Sequence, residues 1–276
     1  MSRIFAPNRT AIIFGAASGI GLAAARHCAA AHMRVVAIDR HIDAVEEAAQ
    51  RLTGADEVIP HGLDVADLAA MRALHDMLVA QHRDIALVMN NAGISSRPGA
   101  FDDIDDWRAV FEVNFWGVMN GVHVFAPTLI AQARPAAIVN TGSKQGLTNP
   151  PVNFAYNSTK AALRFATEGL AHQLRNIEGC EVSAHLLIPG FTYTGITARR
   201  MPEKPPAAWT PDQVVDRMTQ GVDRGDFYIL CPDNETTPDM DARRIAWGAA
   251  DIYENRPALS RWDPAFKDAF AAHMKS

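Results

Sequence analysis

Cysteine is scarce in this sequence. The three present, Cys28, Cys180 and Cys231, are too few and too scattered for a disulfide framework and lack the paired spacing of a zinc site. A reducing compartment, the cytoplasm, is therefore expected. No apolar run nears the ~18 residues that spanning a bilayer needs, and residues 1–8 hold no long apolar stretch with a cleavage site, so no signal peptide is expected. Positive charge is not in excess. A formal net charge of −5 leaves no basic field to hold nucleic acid or an anionic membrane. The ten histidines never form HExxH, and His75 and His82 stand without a carboxylate pattern, so no metal is expected. Internal repeats, low-complexity segments and domain linkers are also lacking.

What is present is enough apolar residue, 48% of 276, to bury a sizeable core. Short apolar runs (11–14, 35–38, 57–59, 85–89, 136–139, 182–188 and 227–230) alternate with helical patterns (20–32, 43–52, 67–82, 105–131, 154–176 and 211–221). Most runs carry no polar alternation, as expected of strands covered by helices on both faces of a parallel sheet. The order predicts one doubly wound α/β (Rossmann) domain over 1–276. Residues 191–210, with three prolines, read as a loop acting as a lid, and 232–276 as a helical appendage.

The first strand runs into Gly15-Ala16-Ala17-Ser18-Gly19-Ile20-Gly21 and then a helix. Such glycines let the backbone turn sharply and a pyrophosphate approach the helix N-terminus. Asp39 ends the second strand, where a carboxylate would meet an adenine ribose and repel a 2′-phosphate. NAD is thus favoured, with NADP possible because Arg40 is adjacent. A plain strand–helix turn would use the same glycines, and Asp39 could equally be a solvated acid or a helix cap. Methyltransferases using S-adenosylmethionine share this layout, and Asn149-Pro150-Pro151 resembles one of their motifs, with Val152 where an aromatic residue would stand.

Tyr156 and Lys160 are four apart at a helix start and so point the same way. An ammonium beside a phenol favours the phenolate; lowering the phenol by roughly 3 units takes about 4 kcal/mol. Such a tyrosine could exchange a proton with an alcohol or ketone. Ser143, at the end of an apolar strand, could hold the substrate oxygen or serve as a turn residue.

Gly15-x3-Gly19-x-Gly21, Asn90-Asn91-Ala92-Gly93, Asn114, Ser143, Tyr156-x3-Lys160 and Pro189-Gly190-x3-Thr194 occur in that order. Together they resemble the short-chain dehydrogenase/reductase family over residues 8–231. The resemblance implies a catalytic tetrad of Asn114, Ser143, Tyr156 and Lys160. Tyr156 would be the acid/base, Lys160 would hold the nicotinamide ribose, and Asn114 would position a water. It implies cofactor contacts at Gly15, Ser18, Gly19, Ile20, Gly21, Asp39, Asp64, Val65, Asn91, Ala92, Gly93, Tyr156, Lys160, Pro189, Gly190 and Thr194, with Ile188 near the carboxamide. Two departures are Phe14, where threonine is usual, and Gly142, where serine is frequent.

Ser143, Lys144, Gln145, Phe191 and Tyr193 are candidate substrate contacts, with Ile94, Ser95, Val152, Asn153 and 195–210 around them. The mix points to a bulky, aromatic secondary alcohol or ketone; Lys144 would meet an acidic group or be a solvated loop residue. In 105–131 the line Phe111, Phe115, Val118, Val122, Phe125 and Leu129 should face the sheet. Gly117 and Gly121, on a neighbouring face, would admit another helix. With Ala162, Ala166, Gly169 and Gln173 of 154–176, they point to a homodimer or homotetramer, as the resemblance also implies. A non-catalytic NAD(H)-binding regulator is the alternative function.

Overall fold

The computed structural model describes residues 2–81, 83–95, 99–198 and 201–275. His82 of the His75/His82 pair, and residues 199 and 200 of the expected lid, lie outside them. Among the described residues, β1 (Thr10–Phe14), β2 (Arg34–Asp39), β3 (Glu57–Gly62), β4 (Ile85–Asn90), β5 (Ala136–Thr141), β6 (Val182–Ile188) and β7 (Tyr228–Leu230) form one parallel sheet. Their order is β3-β2-β1-β4-β5-β6-β7. The winding reverses between β1 and β4, which leaves a crevice beyond their carboxyl ends.

The helices are α1 (Gly19–Ala30), α2 (Ile42–Ala49), α3 (Leu68–Ala80), α4 (Ile104–Phe111), α5 (Gly117–Ala131), α6 (Gln145–Thr148), α7 (Phe154–Arg175), α8 (Gly195–Ala198), α9 (Pro211–Arg224), α10 (Pro238–Tyr253) and α11 (Lys267–His273). Local chemistry starts several of them. The Asp67 carboxylate accepts from Ala69 N and Ala70 N to open α3. Thr210 and Gln213 make a reciprocal capping box ahead of α9, and Gly225 at φ +77 ends it.

Successive strand residues face opposite ways. Ala11, Ile13, Leu87, Met89 and Val139 pack against α1 and α9. Ile12, Phe14, Val88 and Ile138 pack against α3, α5 and α7. Phe14 is 1% exposed, its ring 6.1 Å from that of Phe125. Its burial contributes roughly 1.5–3 kcal/mol where the usual threonine would offer a hydroxyl.

Three expectations are corrected. The strand expected at 57–59 continues through Pro60 to Gly62, because β3 is a sheet edge and tolerates a residue without an N–H. The helix expected over 105–131 is broken by a π turn at Glu112–Trp116. The extra residue shifts the apolar face, so Val118, Val122, Phe125 and Leu129 are buried while Phe111 and Phe115 are half-buried. Gly117 and Gly121 face this chain's own sheet side. A Cβ on Gly117 would stand 2.5 Å from Val65 Cγ2, and one on Gly121 would collide with Asn90 Oδ1.

The segment after β7 packs as an appendage. Trp247 of α10 is 5% exposed, donates to Ser260 Oγ (2.8 Å) and carries the Arg256 guanidinium over its ring at 4.0 Å.

Candidate active site

The glycine loop turns at the carboxyl end of β1, where Gly15 N and Ala16 N donate to Ile38 O at 2.8 and 2.9 Å. Gly15 has φ +77, and a Cβ there would come within 2.8 Å of the Ala92 backbone; one on Gly21 would collide with Gly15 O. A Cβ on Gly19 (φ +57) would come within 3.3 Å of the Thr194 side chain, so the 190s loop lies over the turn. Ser18 precedes α1 with extended backbone and no side-chain cap, and no acid stands in the first turn. The first N–H groups of α1, including those of Ile20 and Gly21, therefore keep their positive end for an anion. This glycine cradle, open where a Cβ would fill it, fits a dinucleotide pyrophosphate.

The rim of the cradle is acidic. Asp39 accepts from Ala17 N and His41 N, each at 3.3 Å. Arg40 is exposed and its Nε donates to His41 Nε2 at 2.9 Å. Asp64 is exposed beyond β3 and accepts from Ala66 N at 3.0 Å, while Val65 is buried. Asn91 bridges the crevice, donating to Gly15 O (3.4 Å) and accepting from Thr141 Oγ1 (3.3 Å).

Beyond this crevice lie the four expected reactive residues. Asn114, fully buried in the π turn, accepts from Ile94 N (2.8 Å) and donates to Ile94 O (2.9 Å). It thereby clips the loop after β4, next to Gly93. Tyr156 is half-buried beside Ser143, whose Oγ accepts from Gln145 N at 3.1 Å. Lys160 is 4% exposed; its ammonium donates to Thr141 O at 2.7 Å and lies 5.7 Å from the Tyr156 ring centroid.

The electrostatics of the chain alone differ from the expected acid phenol. Burial pushes Tyr156 above its ordinary range, opposed by the hydrogen bond with Ser143. Burial likewise pulls Lys160 down to about 8. The ammonium is turned onto a carbonyl oxygen rather than the phenol, so desolvation outweighs its attraction. The phenol is therefore protonated at neutral pH in this form.

The solvated alternative for Lys144 is corrected: its ammonium stands 2.6 Å from Asp241 and 3.6 Å from Asp233, with the lysine side chain 14% exposed. The motif at 149–151 is a turn. Asn149 and Asn153 have φ +44 and +58, and Asn157 donates to Pro150 O (2.8 Å) and Val152 O (2.9 Å). The expected lid is more regular than a loop. Thr192 bridges Trp209, and the Tyr193 hydroxyl donates to Pro202 O at 2.6 Å. Phe191 is half-buried, and the side-chain Oε1 of Gln145 is buried with no hydrogen-bond partner among the described residues.

Sequence reasoning missed Gly146. A Cβ there would lie 2.6 Å from the Lys160 carbonyl carbon, so only glycine lets α6 cross α7 at the lysine. It also missed Asp233 and Asp241, which nothing in their local pattern connects to residue 144.

A parallel sheet with its glycine cradle at the β1/β4 switch and a tyrosine–lysine pair beside it defines a nucleotide-dependent oxidoreductase architecture. The family model described as short chain dehydrogenase matches residues 9–205. The chain is 33% identical over 191 residues to sulfoacetaldehyde reductase 2 of Chromohalobacter salexigens, covering 68% of this chain and 75% of that one. It is 32% identical over 230 residues to 1-deoxy-11-beta-hydroxypentalenate dehydrogenase of Streptomyces avermitilis, covering 80% and 83%. Among solved structures, a short chain dehydrogenase/reductase from Burkholderia phymatum in complex with NAD superposes with a TM-score of 0.81 at 33% identity, over 93% of this chain and 98% of that one. The chain belongs to the short-chain dehydrogenase family and is an NAD(P)-dependent oxidoreductase. No helix among the described residues is long and apolar enough to cross a membrane.

Proposed function

We propose that this enzyme interconverts a secondary alcohol and its ketone, with Tyr156 as the proton carrier. The carrying observation is the Tyr156 phenol beside Ser143, with the buried Lys160 ammonium 5.7 Å from its ring centroid. When bound, the nicotinamide dinucleotide supplies or accepts the hydride. Gly15, Ser18, Gly19, Ile20 and Gly21 would hold its pyrophosphate. Asp39, Asp64 and Val65 would border the adenosine half, while Asn91, Ala92, Gly93, Pro189, Gly190 and Thr194 would border the nicotinamide half.

Ser143 fixes the substrate oxygen by a hydrogen bond. Tyr156, held protonated by burial, donates to a ketone oxygen. In the reverse direction its proton acceptance needs a nearby positive charge, which the ammonium of Lys160 begins to supply. Asn114 keeps the Ile94 loop in register with this pair.

NAD is the cofactor we favour, because the Asp39 carboxylate at the rim repels a 2′-phosphate and Arg40 is directed at His41. Val152, 47% exposed, and Phe191 support a bulky, aromatic substrate; with Lys144 occupied, an acidic substrate group loses its support. Residues 1–276 read as one cofactor-binding unit. A homodimer or homotetramer is supported by a groove of about 240 Å³ between α5 and α7, lined by Val122, Ala126, Ile130, Leu170 and Ile177. The free Cys28, Cys180 and Cys231 suit a cytoplasmic setting.

The test is a panel of secondary alcohols with NAD and NADP, followed by nicotinamide absorbance, with Tyr156→Phe in parallel. Tyr156→Phe should bind cofactor normally and lose roughly 100-fold or more in turnover. Near-full turnover in that variant removes the role from Tyr156, and cofactor binding with no turnover on any carbonyl or alcohol would return the regulator reading.

A further inference from the structure

We infer that Asp241, acting through Lys144, is a positioning residue for the turn that carries Ser143, which makes the C-terminal segment part of the active-site scaffold. The inference rests on the reading of Ser143 and Tyr156 proposed above.

Lys144 directly follows Ser143, and its backbone N–H donates to Pro189 O at 3.1 Å. Its side chain then passes Gly190. A Cβ on that glycine would come within 3.0 Å of Lys144 Cε, Lys144 Nζ and Cys231 O, so the stem lies in a slot that a side chain at 190 would close. The ammonium ends 2.6 Å from Asp241 on α10 and 3.6 Å from Asp233 on the segment after β7. The side chains of Lys144, Asp233 and Asp241 are 14%, 11% and 4% exposed. Four segments of chain therefore meet at one charge: the β5–α6 turn, the Pro189-Gly190 turn, the strand exit at 231–233 and α10.

Removing Asp241 takes away the nearer counter-charge and leaves the buried ammonium with Asp233 alone, 3.6 Å away. Lys144 can then regain solvent only if its own backbone moves, and that backbone is continuous with Ser143. Arg261, in the 260–262 turn, feels the charges of Asp241 and of Arg244 on α10, and its guanidinium lies 4.7 Å from the Trp262 ring centroid and 5.3 Å from that of Phe270. Around Tyr156 stand Lys160 on its own helix and Ser143 on the opposing turn. Moving Ser143 removes the hydrogen bond that opposes the upward push of burial on the phenol.

The test compares Asp241→Asn, the neutral pair Lys144→Gln/Asp241→Asn, Asp241→Glu and Asp239→Asn by steady-state kinetics on an alcohol, normalised to cofactor-binding sites. Asp241→Asn should lose roughly 10- to 100-fold in kcat, the scale of a small misplacement of reacting groups, with cofactor KM nearly unchanged. The rising limb of its pH–rate profile for alcohol oxidation should move to higher pH. The neutral pair should fall no further than Asp241→Asn alone, and it carries the same comparison if that variant does not fold. Asp241→Glu should recover most of the loss. Asp239→Asn, an exposed member of an ion pair with Arg243 on the same helix, should match wild type.

Wild-type kcat and pH limb in Asp241→Asn, or losses that multiply in the neutral pair, would overturn the inference. If Tyr156→Phe abolishes turnover while Asp241→Asn does not, only this inference fails. If Tyr156→Phe keeps its turnover, the site reading fails first and takes this one with it.

Discussion

The Lys160 ammonium lies 5.7 Å from the ring centroid of Tyr156 while donating to Thr141 O at 2.7 Å. The lysine thus sits beneath the phenol and is anchored to the strand end, not to the tyrosine. Both side chains are desolvated, so burial raises one group and lowers the other. In the chain alone the phenol is thus held protonated, the form that the proposed donation to a ketone uses.

That arrangement predicts a pH-dependent stability. Lys160 falls from 10.5 to about 8 in the folded chain. Between those values the unfolded chain binds more protons, so stability rises with pH across the window and the penalty is complete below it. Relative to Lys160→Met, the cofactor-free protein should gain up to about 1 kcal/mol from pH ~8 to pH ~9. Urea midpoints at each pH read this directly, and a flat or falling difference would contradict the burial argument.

Cofactor choice should follow Asp39. Replacing it by serine removes the carboxylate at the rim of the glycine cradle while leaving an acceptor for Ala17 N. The ratio of kcat/KM for NADP over NAD should rise about tenfold, the equivalent of ~1.4 kcal/mol of relieved repulsion. An unchanged ratio would place the discrimination elsewhere.

Gly146 should tolerate no side chain. Alanine there meets the Lys160 backbone at 2.6 Å, so α6 must shift from α7 at the reactive lysine. Gly146→Ala should cost about 1–3 kcal/mol in stability and lower kcat as well. Thermal unfolding and turnover are the measurements; wild-type values in both would show that α6 moves freely.

Gly121 separates packing within the chain from packing between chains. Its Cβ would strike Asn90 Oδ1, and Asn90 Nδ2 donates to Asn140 at 2.8 Å in the buried sheet. Gly121→Ala should therefore lower the melting temperature by several degrees, as ~1–3 kcal/mol does in a chain of this size, with the association state unchanged. Loss of association in a still fully stable protein would restore the interface reading of that glycine.

The seven strand cores are legible in the order of residues because interior strands of a parallel sheet are apolar on both faces and stand out as unbroken runs. Edge strand β3 is legible only to Ile59, since Pro60 is a stop signal anywhere except at an edge. The Tyr156/Lys160 pair is legible because its spacing is a property of one helix. The π turn at 112–116 is not, as one added residue leaves the apolar residues in place and changes only which way they face.

Contacts along one segment, such as the glycine turn, the Tyr156/Lys160 spacing and the strand order of polarity, follow from the order of residues, because near neighbours meet whatever the rest of the chain does. The partner of Lys144 and the neighbours of Gly117, Gly121 and Gly146 are decided only when distant segments pack. A lone lysine after a serine reads as solvated until Asp241, 97 residues further on, is carried against it. The charge state of the phenol belongs to the same category, since desolvation depends on the walls around a group and no residue carries its walls with it.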